Sequence, residues 1–378
     1  MNEKEMQSLL MQVFGAALKG TAPEKELLTP ESLPAVYALA KKHSLGHFVT
    51  RYVFGNGIAT DPEMARKLQR EELISVHQYE RMQYTYREIC QIFDEENIAY
   101  IPLKGSVLRG FYPDPTLRTS CDIDILIRQE ELDRAVGVLK EKGYQVGQRQ
   151  FHDIGLYSPN KIHLELHFNI LENMDLLDSV LKDAWQYAVP VSGSRYEFRK
   201  EFFVFHMYAH MAYHFLAGGC GVRSLMDIWV MEHRMDAHYA LAEELLRKAG
   251  IHTFAARICE IADICFEQTD YSDPILDYIW RGGTYGTVEN HITVQKKDGV
   301  SSFSYIWMRI FLPYKLMVIS YPILKKLPVL LPVCWVLRWL RVLLTGRSGR
   351  LSAEYACAKG IADDRLTEVK EMCYRLDL

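Results

Sequence analysis

Residues 103–127 have the sequence LKGSVLRGFYPDPTLRTSCDIDILI, and this stretch decides which fold the chain adopts. The apolar run at 98–103 predicts a strand, and Gly105-Ser106 predicts a turn into a short helix. Residues 122–127 alternate acidic and apolar side chains, which predicts a second strand. Two strands joined by a glycine-containing turn and a short helix therefore form the centre of the predicted fold.

The two aspartates of the second strand, Asp122 and Asp124, are two positions apart, so both face one side of the predicted sheet. Ile123 and Ile125 then face the core. Adjacent carboxylates repel each other unless a cation lies between them. The expected cation is Mg²⁺ or Mn²⁺, since these hard ions take oxygen ligands and bind phosphates. Taken alone, the pair also fits a solvated strand edge.

The tripeptide Lys104-Gly105-Ser106 precedes the predicted short helix. Free amides at a helix N-terminus bind anions, and glycine lets a phosphate approach the backbone closely. A lone Gly-Ser is more often a capping turn. Followed by an Asp-x-Asp strand, it favours a phosphate site.

Residues 161–168, KIHLELHF, predict a further strand, paired through a turn at 158–160 with residues 155–157. Its apolar residues face one side, whereas His163, Glu165 and His167 face the other. This polar face fits either an active-site cleft or an exposed strand face.

The order of strand, Gly-Ser turn, Asp-x-Asp strand and later acid resembles the nucleotidyltransferase superfamily with the DNA polymerase β-like fold. The LKG, YPDP, arginine and DIDIL elements of 103–127, with HLELHF at 163–168, are more closely similar to the bacterial uncharacterised nucleotidyltransferase family. The resemblance covers about residues 95–230, including the helical His206, His210 and His214 with Arg223 and Asp227. It implies transfer of a nucleoside monophosphate from an NTP to an acceptor, with a divalent metal.

The resemblance also implies roles for individual residues. The catalytic and metal-binding residues would be Asp122, Asp124 and Glu165, with Glu165 completing the metal site or acting as base on the acceptor. The nucleotide would be bound by Lys104, Gly105, Ser106 and Arg118. The residues expected on the acceptor side are His163, His167, His210 and His214.

Several of these residues have alternative interpretations. Lys104 also fits a solvated strand end, and Arg118 fits an ion pair with Asp114. The histidines at 206, 210 and 214 share one helix face and fit a polar strip in the core or cleft wall better than a metal site. Arg223 and Asp227, four residues apart, favour a structural ion pair.

The fold class expected is α+β, with a small mixed sheet flanked by helical regions. The predicted divisions are an N-terminal helical region at 1–95, a nucleotidyltransferase core at 96–190 and a C-terminal helical region at 191–378. Helices are predicted at 6–18, 30–54, 62–95 and 130–142, a strand at 144–149, mostly helix after 171, and a loop at 282–302.

Composition narrows the function classes. The 378 residues include 44 basic and 48 acidic side chains, a net charge of −4, which excludes a generally basic nucleic-acid coat and gives no strong nucleic-acid signature. The eight cysteines form no CxxC pair, which excludes a zinc knuckle or thioredoxin-type motif. With no apolar signal segment at the N-terminus, a cytoplasmic protein is expected. Its expected partners are an NTP and an unidentified acceptor.

An apolar run at 327–337, LPVLLPVCWVL, is too short to span a bilayer, which needs about 20 apolar residues. A buried helix is the first interpretation. The second is weak membrane association of 317–344, since two tryptophans and several basic residues accompany the run. These residues are Lys325, Lys326, Trp335, Arg338, Trp339, Arg341 and Arg347.

Two other functions compete with the enzyme. One is a non-catalytic binding or scaffold protein that keeps the fold, against which the presence of all three acids argues. The other is a toxin RNase, because Arg199 and His206 fit an Arg-x4–6-His spacing that occurs easily by chance.

Overall fold

The computed structural model of the chain describes residues 1–21, 27–267, 273–284, 286–296, 299–344 and 348–378. The strands are β1 (Tyr100–Pro102), β2 (Asp122–Ile127), β3 (Gln145–Arg149), β4 (Asp153–Tyr157), β5 (His163–His167), β6 (Ala188–Ser192) and β7 (Arg195–Phe198). The helices up to residue 181 are α1 (Glu3–Lys19), α2 (Leu33–Lys42), α3 (Gly46–Asn56), α4 (Pro62–Glu95), α5 (Gly105–Leu108), α6 (Leu132–Glu141) and α7 (Asp175–Leu181). The later helices are α8 (Lys200–Leu216), α9 (Val222–Arg234), α10 (Glu243–Lys248), α11 (His252–Glu267), α12 (Pro274–Gly282), α13 (Val288–Lys296), α14 (Ser302–Ile310), α15 (Tyr314–Ser320), α16 (Leu331–Leu344), α17 (Ser348–Gly360) and α18 (Asp363–Arg375).

The seven strands form one mixed sheet in the order β3-β4-β5-β2-β1-β7-β6. The central strand β2 is parallel to β5 on one side and antiparallel to β1 on the other. Helices precede and follow the sheet along the chain, so the predicted α+β class with a mixed sheet between helical regions is confirmed.

The two faces of β2 contact different helical layers. Ile123 and Ile125 belong to a buried cluster with Ile89 and Phe93 of α4, as the alternation predicted. Leu126 points the opposite way and joins the larger core that includes residues of α8. Because side chains two positions apart share a face, Asp122 and Asp124 lie on the α8 side of the sheet.

Helix α4 begins at the position that the sequence predicts. The side chain of Asp61 accepts hydrogen bonds from the backbone N–H groups of Glu63 and Met64, and Pro62 occupies the first helical position. The 34-residue helix that follows covers the sheet with Ile89, Ile92 and Phe93. The predicted helix at 62–95 is confirmed.

The hairpin formed by β6 and β7 was not predicted, because the chain after residue 171 was expected to be mostly helical. Gly193 makes the turn with φ +55°, and a Cβ there would lie 2.6 Å from Asp94 Oδ1. That same oxygen accepts a 2.7 Å hydrogen bond from the Ser194 N–H. β7 pairs in parallel with β1, so the sheet continues beyond the predicted boundary at residue 190.

Two helical predictions also differ from the structure. The predicted helix at 30–54 is two helices, α2 and α3, separated at Ser44, whose φ is +58°. The predicted loop at 282–302 contains α13, whose Asn290, Ile292 and Thr293 are buried.

The apolar run near the C-terminus is not the buried helix that was expected. Residues 331–344 form α16, in which only Cys334 is buried among the described side chains. No helix in the described part of the chain combines the length and apolar character needed to cross a bilayer. Arg347, one of the basic residues noted beside the run, lies outside the described residues.

Candidate active site

The acidic residues of β2 and β5 lie side by side because the two strands are parallel and in register. Asp122 is opposite His163, and Asp124 is opposite Glu165. One ligand atom each of Asp124, Glu165 and His167 lie within 4.8 Å of one another. Because side chains alternate along each strand, polar residues from two segments about 40 residues apart in the sequence form a single cluster on one face of the sheet.

Two cationic side chains contact Asp124. The Lys104 Nζ lies 3.3 Å from Asp124 Oδ1, and the His167 Nε2 lies 3.1 Å from the same oxygen. His167 Nε2 is also 3.6 Å from Glu165 Oε2. Lys104 has φ +41°, an uncommon value for a residue with a Cβ, at the start of α5. Strained backbone of this kind clusters at functional sites.

The charges of the cluster shift the pKa values of its members in opposite directions. Burial, with the nearby carboxylates of Asp124 and Glu165, raises the pKa of Asp122. Burial alone would raise the pKa of Asp124 too, but Lys104 and His167 outweigh it and hold that pKa well below its usual range. Burial opposes the protonation of His167, yet its bonds to Asp124 and Glu165 raise its pKa to about 9.

These residues form one wall of a cavity of about 370 Å³, within the range typical of small-molecule sites. The opposite wall is helical, and consists of α8 with His206, His210 and His214 and α9 with Arg223. The three histidines recur every four residues and so share the face of α8 that lines the cavity, which was one of the interpretations offered for them.

The segment between β5 and α7 contributes a carboxyl group that sequence reasoning missed. Glu172 lines the cavity and its Oε1 lies 3.1 Å from His210 Nδ1. Burial raises the pKa of Glu172 to about 7, although Lys104 opposes this shift. Burial lowers the pKa of His210 well below its usual value and that of His214 to about 4, so both rings are neutral near pH 7. The only sequence signal for Glu172 is its position just after the strand that bears Glu165.

Arg118 forms an ion pair that the sequence did not predict. Its Nε and Nη2 donate to the two carboxylate oxygens of Asp227 at 2.9 and 2.8 Å, and both side chains are buried. Asp114, the partner considered from the sequence, instead pairs with Arg51. The expected pair between Arg223 and Asp227 is also wrong, since Asp227 is bound by Arg118 and by the Tyr112 hydroxyl at 2.6 Å.

Gly105 is required by this arrangement, because a Cβ at that position would lie 2.9 Å from Arg118 Nη1. Arg118 lines the cavity, but its guanidinium is committed to Asp227. Arg223 also lines the cavity and donates to the Thr119 carbonyl at 2.9 Å. Within the described residues, no carboxylate lies within ion-pair distance of Arg223, which makes it the more available cation for an anionic ligand.

A second group of possible ligands adjoins the first. His152, Asp153 and His167 each offer one ligand atom within 4.8 Å of the others. Asp153 is 1% exposed, and neither carboxylate oxygen has a hydrogen-bond partner. His152 Nε2 lies 3.1 Å from Asp153 Oδ2 without the geometry of a hydrogen bond. The sequence analysis singled out neither His152 nor Asp153.

The structure does not bring every predicted residue to the cavity. Ser106 is absent from its lining, and the Ser106 N–H already donates to the Leu103 carbonyl at 3.0 Å. His163 is also absent from the lining, although its Nδ1 is 3.8 Å from Glu165 Oε1. The predicted role of Ser106 in phosphate binding and that of His163 at the acceptor stay predictions.

The donor set fits a hard divalent cation. Asp122, Asp124 and Glu165 offer carboxylate oxygens on one face. Burial and the repulsion from the other two carboxylates raise the pKa of Asp122, and a bound cation would relieve that repulsion. The imidazole of His167 would add a nitrogen ligand after loss of its proton, and Mn²⁺ accepts nitrogen more readily than Mg²⁺.

Comparison with known proteins gives one match. The family described as "Uncharacterised nucleotidyltransferase" matches residues 29–267. No curated protein and no solved structure matches the chain. The matched region contains the seven strands found among the described residues and both cavity walls, and it covers more than half of the sequence. The chain therefore belongs to the uncharacterised nucleotidyltransferase family.

Proposed function

We propose that the chain transfers a nucleoside monophosphate from an NTP to a hydroxyl acceptor, a small molecule or a protein, with Mg²⁺ or Mn²⁺ held by Asp122, Asp124 and Glu165. The acceptor oxygen would bond to the α-phosphorus as the bond to the β-phosphate breaks and pyrophosphate leaves. The observation that carries the proposal is the register of β2 and β5, which sets Asp124 beside Glu165 in the lining of a polar cavity. A bound divalent cation would supply charge neutralisation and Lewis-acid activation of the phosphate being transferred. Family membership supports transfer from an NTP in general terms.

The cations of the cavity have separate tasks in this proposal. Lys104 and Arg223 would bind phosphate oxygens, since both line the cavity and no carboxylate of the described residues lies within ion-pair distance of Arg223. Arg118 would act indirectly, because its pair with Asp227 joins the 115–120 segment to α9. Gly105 would let that guanidinium lie against the turn.

The acceptor would approach along the α8 wall. Glu172 is the best-placed base there, because a pKa near 7 lets it hold a proton or release one at neutral pH. His210 donates to Glu172 through Nδ1 and orients its carboxylate, and the neutral His214 offers a further hydrogen bond. Glu165, the base considered from the sequence, contacts His167 instead and is better suited to the metal.

The competing functions have less support. The non-catalytic alternative would bind an NTP without transferring it, and leaves the grouped carboxylates and the raised pKa of Glu172 without a role. The RNase alternative lacks a shared site, since Arg199 is exposed at the start of α8 and does not line the cavity, whereas His206 does.

A binding screen tests the proposal before the acceptor is identified. Calorimetry of the full chain with each of the four NTPs, with Mg²⁺ and with EDTA, should give binding of at least one NTP that Mg²⁺ strengthens. The Asp122→Ala/Asp124→Ala variant should lose the strengthening, and Asp133→Ala, an exposed aspartate on α6, should keep it. Equal affinity with and without Mg²⁺ in the wild type would contradict the proposal.

A further inference from the structure

The segment that follows α13 has an unusual charge. Residues 299–353 contain eight lysines and arginines and no aspartate or glutamate. The rest of the chain then has 36 basic and 48 acidic residues, a net charge of −12. The positive charge is therefore concentrated in one part of the sequence that also holds the apolar run.

The same segment exposes apolar side chains. Half of the large hydrophobic residues that the described part of the chain leaves exposed lie at 303–344. Phe303 is 73% exposed, Trp307 53% and Val329 79%. A concentration of exposed large apolar side chains in one segment indicates a site of interaction. We refer to residues 303–344 as the C-terminal apolar surface.

The exposed apolar side chains of α16 lie along one face of the helix. Its exposed apolar residues form a stripe at helical spacing, and consist of Val333, Val336, Leu337, Leu340, Leu343 and Leu344. The opposite side packs on the protein: Cys334 is buried, and the indole N–H of Trp335 donates to the Leu312 carbonyl at 2.9 Å. The indole N–H of Trp339 donates to the Ile310 carbonyl at 3.0 Å. The apolar stripe of α16 therefore faces outward. A surface helix of a protein in water normally buries its apolar face and exposes its polar face.

The segment has enough internal structure to hold this shape. Met317, Leu324 and Cys334 form a small buried cluster, and the Tyr314 hydroxyl donates to the Leu324 carbonyl at 2.8 Å. Lys315, Lys325 and Lys326 are exposed around it. Exposed basic residues and an exposed apolar stripe therefore belong to the same ordered segment.

We propose that the C-terminal apolar surface binds the surface of an anionic lipid bilayer. At 14 residues, α16 is about 21 Å long, shorter than the hydrocarbon core, so it would lie in the interface plane. The apolar stripe would enter the boundary between headgroups and acyl chains, and the exposed lysines would contact lipid phosphates.

Charge favours lipid over other occupants of this surface. In a symmetric dimer the same patch would face itself, which would bring the basic residues of two copies together. An anionic bilayer supplies both the apolar layer and the opposite charge. The proposal is independent of the catalytic one, because it uses no residue of the cavity.

Vesicle sedimentation of the full-length chain tests the proposal. The chain should sediment with vesicles of phosphatidylcholine mixed with phosphatidylglycerol and much less with phosphatidylcholine alone, and added salt should weaken the binding. Lys325→Glu/Lys326→Glu should lower the partition coefficient at least about tenfold. Lys140→Glu/Lys142→Glu, an equal change of two exposed lysines elsewhere, should leave it unchanged.

A second pair of variants separates the apolar contribution from charge. Val336→Ser/Leu340→Ser should reduce binding to the mixed vesicles, whereas Leu73→Ser/Ile74→Ser on the exposed face of α4 should not. All four residues are exposed, so thermal unfolding should show that the variants stay folded. No binding to the mixed vesicles, or equal binding to both kinds, would overturn the proposal. Light scattering that shows a dimer abolished by Val336→Ser/Leu340→Ser would also overturn it, in favour of a second copy.

Discussion

Asp124 and Glu165 are register partners on the parallel strands β2 and β5, although 41 positions separate them in the sequence. The His167 Nε2 contacts both carboxylates, at 3.1 Å from Asp124 Oδ1 and 3.6 Å from Glu165 Oε2. Because the pair occupies the cavity side of the sheet, the proposed metal site depends on this register.

Glu165→Gln should separate binding from chemistry. The variant keeps the size and hydrogen bonding of the side chain but removes one negative charge from the proposed metal site. We expect NTP affinity to be largely kept, whereas the rate of transfer falls by about 10²–10⁴-fold. Glu130→Gln, an exposed glutamate before α6, is the matched control for calorimetry and rate measurement. Unchanged turnover in Glu165→Gln would show that Glu165 is not part of the site.

Glu172 should impose a pH dependence on transfer. As a base with a pKa of about 7, it becomes active as pH rises through that value, so the rate should rise from pH 6 to 8. Glu172→Gln should be slower and should lose this rise. A pH profile that is the same in both proteins would assign the base to another group.

Glu172 should also make the free energy of unfolding depend on pH. The folded-state pKa of Glu172 lies above its ordinary value of 4.5, so the folded protein binds this proton more tightly than the unfolded chain. That stabilisation is present below pH 4.5 and is lost as pH rises through about 7. The unfolding free energy of Glu172→Gln relative to wild type should therefore increase with pH, by on the order of 3 kcal/mol across this window. Urea unfolding at several pH values measures it, and a constant difference would contradict the burial of Glu172.

The buried pair of Arg118 and Asp227 should matter for folding as well as for the site. Arg118→Met leaves a buried carboxylate without its cation and should destabilise the protein by about 3–5 kcal/mol. Arg118→Met/Asp227→Leu should recover much of this loss, because no charge is then left unpaired. Arg134→Met, which breaks an exposed pair with Glu131, should cost less than about 1 kcal/mol. Equal losses for Arg118→Met and Arg134→Met in urea unfolding would refute the role given to the buried pair.

The hairpin of β6 and β7 is tested by Gly193→Ala. The positive φ and the approach of Asp94 Oδ1 both oppose a Cβ at this position, so we expect a loss of at least about 1 kcal/mol in urea unfolding. Gly110→Ala is the control, because a Cβ there meets nothing within 4 Å and its φ is not positive. A neutral Gly193→Ala would mean that the turn has a different conformation.

The sequence predicted the centre of the sheet because the signals there are local. The alternation of residues 122–127 and 163–167 gives the strands and the shared faces directly. The hairpin at 188–198 was missed because its strands are short and interrupted by Pro190. The apolar run was assigned to the core because hydrophobicity alone does not show which residues remain exposed.

The grouping of cavity residues was less predictable. Arg118 and Asp227 are 109 positions apart, and only the packing of α9 against the 115–120 segment brings them together. The sequence instead offered nearer partners, Asp114 for Arg118 and Arg223 for Asp227. Glu172 has no distinguishing pattern, since its raised pKa results from burial against α8.

Label transfer from an α-phosphate-labelled NTP onto fractionated cell extract tests the central claim most directly. We predict label incorporation into an acceptor fraction that requires Mg²⁺ or Mn²⁺, is retained by Asp133→Ala and is abolished in Asp122→Ala/Asp124→Ala. Incorporation that persists in the double variant, or that proceeds in EDTA, would contradict the claim that these carboxylates support metal-dependent nucleotidyl transfer.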